Sequence, residues 1–167
     1  GIFFTGPRGT GKTHLAVAFM REMFIERAKK KIVECDMLPI GVYPDHIASD
    51  LPGFISVPEL LLEIRQSFND KAEYSEKEII AKYASASTLI LDDLGAEKTT
   101  EWSMQTLFLI IDRRYRDVKK TIITSNLSLE EIADKIGDRI ASRISEMCDV
   151  KVIKGEDRRI KKIFDGK

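Results

Sequence analysis

The chain has 167 residues, its 27 Lys and Arg residues balance 27 Asp and Glu residues, and 43% of it is hydrophobic. This composition excludes a disordered tail, because the chain has enough apolar residues to bury a core and carries no net charge. The length fits one domain and is too short for two ordinary ones. Because the net charge is zero, a nucleic-acid or membrane partner would have to bind a local patch.

Cysteine content and hydropathy limit the class of protein further. Cys35 and Cys148 are the only cysteines, which leaves no disulfide framework and predicts a reducing compartment, the cytoplasm. No apolar run approaches the roughly 18 residues of a membrane span, so we expect no membrane partner. The chain opens on an apolar strand without an initiator Met, which favours a fragment that lacks an N-terminal segment.

Predicted strands and helices alternate in the first half of the chain. Ile2–Thr5 is an apolar strand, and a helical spacing of apolar residues runs from Thr10 to about Lys31. The segment Glu34–Gly53 carries four acids and no base among its prolines and glycines, with Ile40–Tyr43 as a candidate extra strand. The next predicted elements are a strand over 54–57, a helix that begins at Pro58, and a helix capped by Ser75 and Glu78.

The second half continues the alternation. Thr88–Leu91 is an apolar strand that ends in Asp92 and Asp93, and Thr100–Asp117 has the pattern of a strong helix. The remaining predicted elements are a strand over 121–124, short helices over 127–136 and 138–147, and a strand over 150–153. Continuously apolar strands that alternate with helices indicate a parallel sheet between helix layers, with ligands at the carboxyl ends of the strands.

A phosphate-binding motif follows the first strand. Residues 6–13 read GPRGTGKT, which satisfies G-x-x-x-x-G-K-[ST] between a strand and a helix. Its glycines let backbone N–H groups curl around phosphate oxygens, while Lys12 reaches the β- and γ-phosphates and the Thr13 hydroxyl ligates Mg²⁺. His14 follows on the helix and is expected beside the nucleotide. The predicted ATP-binding residues here are Gly6, Pro7, Arg8, Gly9, Thr10, Gly11, Lys12, Thr13 and His14.

Polar residues end two further apolar strands. The pair Asp92 and Asp93 has the Walker B arrangement, in which the first acid holds Mg²⁺ and the second orients the attacking water. The alternative for this pair is a helix cap. Asn126 follows the strand over 121–124, where it would position a water near the γ-phosphate; the alternative is that Asn126 or Ser128 caps the next helix.

Arginines after these strands are candidates for stabilising charge in a transition state. Arg139 and Arg143 are four residues apart and therefore share one helix face, and Arg158 and Arg159 follow the last strand. An arginine on the γ-phosphate can come from a neighbouring subunit, whereas most surface arginines are only solvated.

The whole set of motifs resembles the DnaC/IstB-like family of AAA+ ATPases, which contains helicase loaders and transposition helpers. Besides the phosphate loop, the resemblance rests on FISVPELL (54–61), LDDLG (91–95), TSN (124–126), GDR (137–139) with Arg143, and GEDRR (155–159). It implies an α/β fold of the P-loop NTPase (AAA+/ASCE) type, a three-layer sandwich with a central five-stranded parallel sheet and a minimal or absent lid. Residues 1–167 would form a single AAA+ core with an acidic insertion at 34–53 and without the N-terminal partner-binding region.

The resemblance also implies roles for individual residues. Asn126 would be the sensor 1 residue, Arg143 the arginine finger, and Arg159 the sensor 2 residue that contacts ATP. The expected catalytic residues are then Lys12, Asp93, Asn126 and Arg143, and the expected metal ligands are Thr13 and Asp92. Most AAA+ proteins have Glu where this chain has Asp93.

The implied function is that of a helicase loader in DNA replication, with ATP and Mg²⁺ as cofactors. Such a protein would hydrolyse ATP weakly alone, form nucleotide-dependent oligomers, and contact single-stranded DNA and a replicative DNA helicase. The alternatives are a transposition helper whose partner is a transposase, a P-loop small-molecule kinase, and a non-hydrolysing switch. Candidate DNA-binding clusters are Arg113, Arg114, Arg116, Lys119 and Lys120, then Lys29–Lys31, and the tail Lys154–Lys162.

Other conspicuous residues are interpreted as structural. The two cysteines are expected to be ordinary buried thiols, and His46 with Asp45 and Asp50 is expected in a solvated loop rather than a metal site. Zinc is not expected, because no His or Cys stands at zinc-ligand spacing. Core or helix-edge packing is expected for Phe19, Met23, Phe24, Phe68, Trp102 and Phe108.

Overall fold

The computed structural model describes residues 1–36, 53–69 and 72–157. The candidate strand Ile40–Tyr43 and most of the acidic segment, including His46, lie outside these ranges. So do Arg158 and Arg159.

A single parallel sheet forms the centre of the fold. Its five strands stand in the order β2-β3-β4-β1-β5, which confirms the predicted five-stranded parallel sheet. The chain-order neighbours β1 and β2 are therefore separated in space, and the carboxyl ends of β1, β3 and β4 meet in the middle of one edge. The strands are β1 (Ile2–Thr5), β2 (Gly53–Ser56), β3 (Thr88–Leu94), β4 (Lys120–Ser125) and β5 (Asp149–Val152).

Helices cover both faces of the sheet. They are α1 (Lys12–Asp36), α2 (Val57–Gln66), α3 (Glu76–Ser85), α4 (Glu101–Arg116), α5 (Leu129–Ile136) and α6 (Asp138–Met147). A capping box begins α3 at Ser75, as predicted, and another begins α5 at Ser128, which is one of the two caps considered for that helix. The predicted end of α1 near Lys31 is wrong, because the helix continues to Asp36. Among the described residues, none of the helices has the length and apolarity that crossing a bilayer requires.

The two faces of the sheet differ in how much they bury. Side chains alternate along each strand, so Phe3 and Phe4 point to opposite faces. Phe3 belongs to the larger core, which also takes residues from α2, α3, α4, α5 and α6. Phe4 belongs to a small cluster with Ala16 of α1, Ile90 and Ile122. The predicted three-layer arrangement is therefore present, with one thick helix layer and one thin one.

Several aromatic residues lie at helix edges rather than in either core. Phe19, Phe24 and Phe68 remain 44%, 46% and 56% exposed, so of the two predicted kinds of packing, core or helix edge, they have the second. Phe19 still packs on Phe4, and Phe68 meets Trp102 edge-on at 5.8 Å between ring centroids. Cys148 is a buried free thiol, as predicted, and burial raises its pKa to about 11.

One residue of the basic cluster on α4 is inside the protein. Arg114 is fully buried, so its assignment to a DNA-facing patch is wrong. Its guanidinium donates hydrogen bonds to the carbonyl oxygens of Tyr83, Ala84, Ala86 and Lys120 and to the hydroxyl of Thr121, at 2.7–3.3 Å. Burial lowers the pKa of Arg114 to about 10, so the group is still charged at neutral pH. Arg114 joins the end of α3 to α4 and β4.

Candidate nucleotide-binding site

The phosphate loop leaves β1 in a conformation that requires glycine. Gly6 has a φ of 140°, and a Cβ at this position would collide with the backbone carbonyl of Ile153, just beyond β5. Gly9 has a φ of 72°, and a Cβ there would collide with the side-chain carboxylate of Asp157. The Thr10 hydroxyl donates to the carbonyl of Pro7 at 2.9 Å and closes the loop. The loop therefore rests on the chain that follows β5.

Lys12, the first residue of α1, points back into the loop. Its Nζ donates to the carbonyl oxygens of Gly6 and Pro7 at 2.9 and 2.7 Å, and to Asn126 Oδ1 at 2.8 Å. Lys12 is only 5% exposed. The ammonium group is thus already held among oxygen acceptors, and it is joined directly to the residue expected to act as sensor 1.

Oxygen donors suited to a magnesium ion stand at the start of α1 and at the end of β3. The Thr13 hydroxyl donates to Asp92 Oδ2 at 3.2 Å, and Asp92 is buried. Magnesium prefers hydroxyl, carboxylate and phosphate oxygens, so this pair fits the ion implied by the family resemblance. Within the ranges that the structure describes, no group of three or more His, Cys, Asp or Glu side chains is placed to hold a metal ion.

Thr124 on β4 orients both acids of β3, a role that sequence reasoning missed. Its hydroxyl donates to Asp92 Oδ1 at 2.7 Å and accepts a hydrogen bond from the backbone N–H of Asp93 at 3.0 Å. The β3–β4 ladder shifts register between Leu91 and Leu94, so the Asp93 N–H bonds to this hydroxyl instead of to a backbone carbonyl of β4. The only available signal was that a hydroxyl residue closes a buried apolar strand.

Asp93 turns out of the strand direction. Its φ of 56° lies in the left-handed region, which costs a non-glycine residue energy and must be held by its surroundings. Asp93 lines a polar cavity together with Lys12, Thr13 and Asn126. The other lining residues are Arg8, Gly9, Gly11, His14 and Ala96. The structure thus brings together the phosphate loop, the second acid of β3 and the polar residue after β4.

The turn after Asp93 is held by charged side chains. The N–H of Gly95 donates to Glu97 Oε2 at 2.9 Å, and its carbonyl accepts from Lys135 Nζ at 2.5 Å. Burial raises the pKa of the Glu97 carboxyl, although the Gly95 N–H and the Lys135 ammonium act in the opposite direction. Neither Glu97 nor Lys135 belonged to the predicted site.

Arg143 is not among the residues that line this cavity. Its Nε donates to Asp112 Oδ1 at 2.5 Å, and its guanidinium lies 4.9 Å from the ring centroid of Phe108. Arg139 lies over the same ring at 5.9 Å. Both arginines therefore occupy the face shared by α4 and α6, outside the cavity of their own chain.

A phosphate loop, an acidic strand end and a polar neighbouring strand on a five-stranded parallel sheet define a P-loop protein of the AAA+ type. Residues 53–165 match the family described as IstB-like ATP binding protein, and the chain belongs to this family. Its members bind ATP, which agrees with the cavity described above.

The curated relatives that the chain resembles are bacterial proteins. The chain is 23% identical over 143 residues to the replicative helicase loader DnaC of Escherichia coli K12, with 86% of this chain and 49% of DnaC covered. It is 28% identical over 152 residues to the uncharacterized protein YqaM of Bacillus subtilis 168, with 88% of this chain and 40% of YqaM covered. The chain thus spans half or less of the length of these relatives.

Solved structures share the fold. The crystal structure of the DnaC helicase loader superposes with a TM-score of 0.71 at 26% identity, covering 92% of this chain and 78% of that one. DnaI superposes with a TM-score of 0.67 at 23% identity, covering 95% of this chain and 72% of DnaI. AMPPCP-bound DnaA from Aquifex aeolicus superposes with a TM-score of 0.66 at 24% identity, covering 99% of this chain and 44% of DnaA.

Proposed function

We propose that residues 1–167 are a single AAA+ core that hydrolyses ATP as part of a replicative helicase loader. The observation that carries this proposal is the position of Lys12, Asp93 and Asn126 around one cavity, with Thr13 and Asp92 hydrogen-bonded beside it. The likeness to DnaC supports the loader role and a replicative DNA helicase as partner.

Each residue of the cavity has a separate task in this proposal. Lys12 exchanges its carbonyl acceptors for the β- and γ-phosphate oxygens of ATP, while loop N–H groups bind the remaining oxygens. Thr13 and Asp92 hold Mg²⁺, which neutralises charge on the phosphates when it is bound. Asp93 accepts the proton of the attacking water, and Asn126 orients that water without adding charge.

Substitution of Asp93 by Asn separates hydrolysis from binding. We expect Asp93→Asn to lower kcat for ATP hydrolysis by at least about 100-fold, because a general base contributes that much or more. Nucleotide affinity should stay within about twofold of the wild type. Phosphate release measures the first quantity and titration with a fluorescent ATP analogue measures the second. Asp117→Asn, at the exposed end of α4, is the matched control. If Asp93→Asn hydrolyses ATP at the wild-type rate, Asp93 is not the general base.

Arg143 is proposed to act in trans. We expect Arg143→Ala to leave nucleotide affinity unchanged. It should lower kcat for DNA- or assembly-stimulated hydrolysis by about 1,000-fold, which is the contribution that an arginine finger makes to kcat. Arg116→Ala is a close control, since Arg116 binds the same carboxylate, Asp112, at 3.0 Å. Arg143→Lys tests whether charge alone suffices, and light scattering reports whether assembly persists. Hydrolysis at the wild-type level in Arg143→Ala would show that the finger is misassigned.

Single-stranded DNA contact belongs to the same proposal. Because Arg114 is buried, fewer arginines of the α4 cluster can reach DNA. Arg113 pairs with Asp117, just after the helix, and Arg116 pairs with Asp112. Lys119 and Lys120 remain as the candidate contacts at this end of the sheet.

The second candidate function is that of a transposition helper with a transposase as partner, favoured by the match to the IstB-like family. A small-molecule kinase or a non-hydrolysing switch would differ in the products formed. A kinase transfers phosphate to an added acceptor, whereas a switch assembles in ATP without turnover, even with DNA. The loader and the helper both release ADP and phosphate, and stimulation by a purified helicase or a purified transposase separates them.

A further inference from the structure

The backbone of Gly95, in the turn that follows β3, is held on both sides by side chains of opposite charge. Gly95 is buried, and buried backbone groups need hydrogen-bond partners. Its N–H donates to the Glu97 carboxylate at 2.9 Å, and its carbonyl accepts from the Lys135 ammonium of α5 at 2.5 Å. Glu97 is two residues along the chain, whereas Lys135 is forty residues away. The turn is therefore fixed both locally and to a separate helix.

The conformation of this turn sets the direction of Asp93. Asp93 has a φ of 56° and Gly95 a φ of 86°, and the N–H of Ala96 donates to the Asp93 carbonyl at 3.1 Å. A Cβ at position 95 would collide with Leu127, so the turn packs directly on the segment after Asn126. Because the β3–β4 ladder is irregular between Leu91 and Leu94, sheet hydrogen bonding alone does not determine this geometry.

The helix that supplies Lys135 also leads to the proposed arginine finger. Helix α5 ends at Ile136, and α6, which carries Arg143, begins two residues later at Asp138. The two helices pack against each other, and α6 packs against α4. A contact from Lys135 to the turn of Asp93 thus joins the proposed general base to the element that would meet a neighbouring subunit.

We propose that Glu97 and Lys135 are positioning residues for Asp93, acting together as a clamp on the backbone of Gly95. This inference rests on the proposed function, because it assigns the clamp to the ATP-hydrolysing step. With the clamp in place, the left-handed turn keeps the Asp93 carboxylate at the cavity, next to Ala96. Without it, the turn relaxes and the carboxylate moves away from the attacking water, while the phosphate loop keeps its geometry.

The test compares kcat with nucleotide affinity in clamp variants of the full chain. We expect Glu97→Ala and Lys135→Met each to lower kcat by about 10- to 100-fold, since small misplacements of a catalytic group have effects of this size. Affinity for a fluorescent ATP analogue should change less than twofold. The double variant should lose about as much kcat as either single variant, because both residues hold the backbone of the same residue, Gly95. Lys98→Met, an exposed neighbour of Glu97, should behave as the wild type.

Conservative variants guard against a loss of folding. Lys135→Arg keeps a charged donor and Glu97→Gln keeps an acceptor, so both should retain more kcat than Lys135→Met and Glu97→Ala. If the clamp variants lower the melting temperature while kcat of the folded protein stays at the wild-type level, the clamp is only structural and the inference is overturned. Equal losses of affinity and kcat would overturn it as well.

The same measurements separate failure of the clamp from failure of the proposed function. If the wild type hydrolyses ATP and Asp93→Asn does not, normal kcat in the clamp variants refutes the clamp alone. If the wild type shows no turnover with Mg²⁺ and single-stranded DNA, the proposed function is wrong and the clamp inference is wrong with it.

Discussion

Lys12→Ala should weaken ATP binding by about 100-fold, because charge-assisted hydrogen bonds to phosphate are each worth about 1.5–3 kcal/mol. The side chain is buried in the phosphate loop and already faces oxygen acceptors from Gly6, Pro7 and Asn126. Alanine supplies neither the charge nor the reach. Titration with a fluorescent ATP analogue measures the loss of affinity.

The control for this change is Lys77→Ala, which removes an exposed lysine on α3 outside the cavity. Its affinity should equal that of the wild type. Thermal unfolding is needed for Lys12→Ala, because truncation leaves the Gly6 and Pro7 carbonyls and the Asn126 amide oxygen without this donor. A folded Lys12→Ala protein with unchanged affinity would refute the site assignment.

Arg114→Met should lower the free energy of unfolding by about 3–5 kcal/mol, a large share of the roughly 5–15 kcal/mol of a typical domain. Methionine fills much of the volume but donates no hydrogen bond. The carbonyls of Tyr83 and Ala84, in the last turn of α3, would lose their hydrogen-bond donor. The same guanidinium carries a positive charge, which stabilises the negative end of the helix dipole.

Urea denaturation measures this loss as a lower midpoint. The matched control is Arg116→Met, two residues along α4, whose side chain is 67% exposed and pairs with Asp112. Exposed ion pairs contribute little, so this variant should change the free energy of unfolding by less than about 1 kcal/mol. Equal effects of the two substitutions would contradict the role assigned to the buried guanidinium.

The fold was predictable because its signals are local. Each strand is a short apolar run and each capping box is a fixed spacing, so the order of elements and the parallel sheet follow from neighbouring residues. The position of Arg114 was also readable in principle. It follows Ile110 by four residues and Ile111 by three, which places it on the apolar face of α4. Because Arg114 stands among other basic residues in the sequence, it was grouped with them instead of with the apolar face.

The site residues that belong to a sequence motif were predictable, and those outside a motif were not. The phosphate loop and the acids of β3 have a known spacing, whereas Thr124, Glu97 and Lys135 act through contacts between distant parts of the chain. The Lys135 contact depends on how α5 packs beside the end of β3, and the Thr124 contact depends on strand register. Neither quantity is encoded in a short spacing, so each required the three-dimensional structure.

Two glycines of the phosphate loop differ in whether a second substitution could make room for a side chain in their place. At Gly6 the obstacle to a side chain is the main-chain carbonyl of Ile153, which every residue type at position 153 would present. A second substitution at position 153 therefore cannot make room for a side chain at position 6. At Gly9 the obstacle is the carboxylate of Asp157, which a shorter residue would remove. The spatial conflict at Gly9 can therefore be relieved by a paired change at position 157, which leaves only the backbone strain of a φ of 72° for a non-glycine residue.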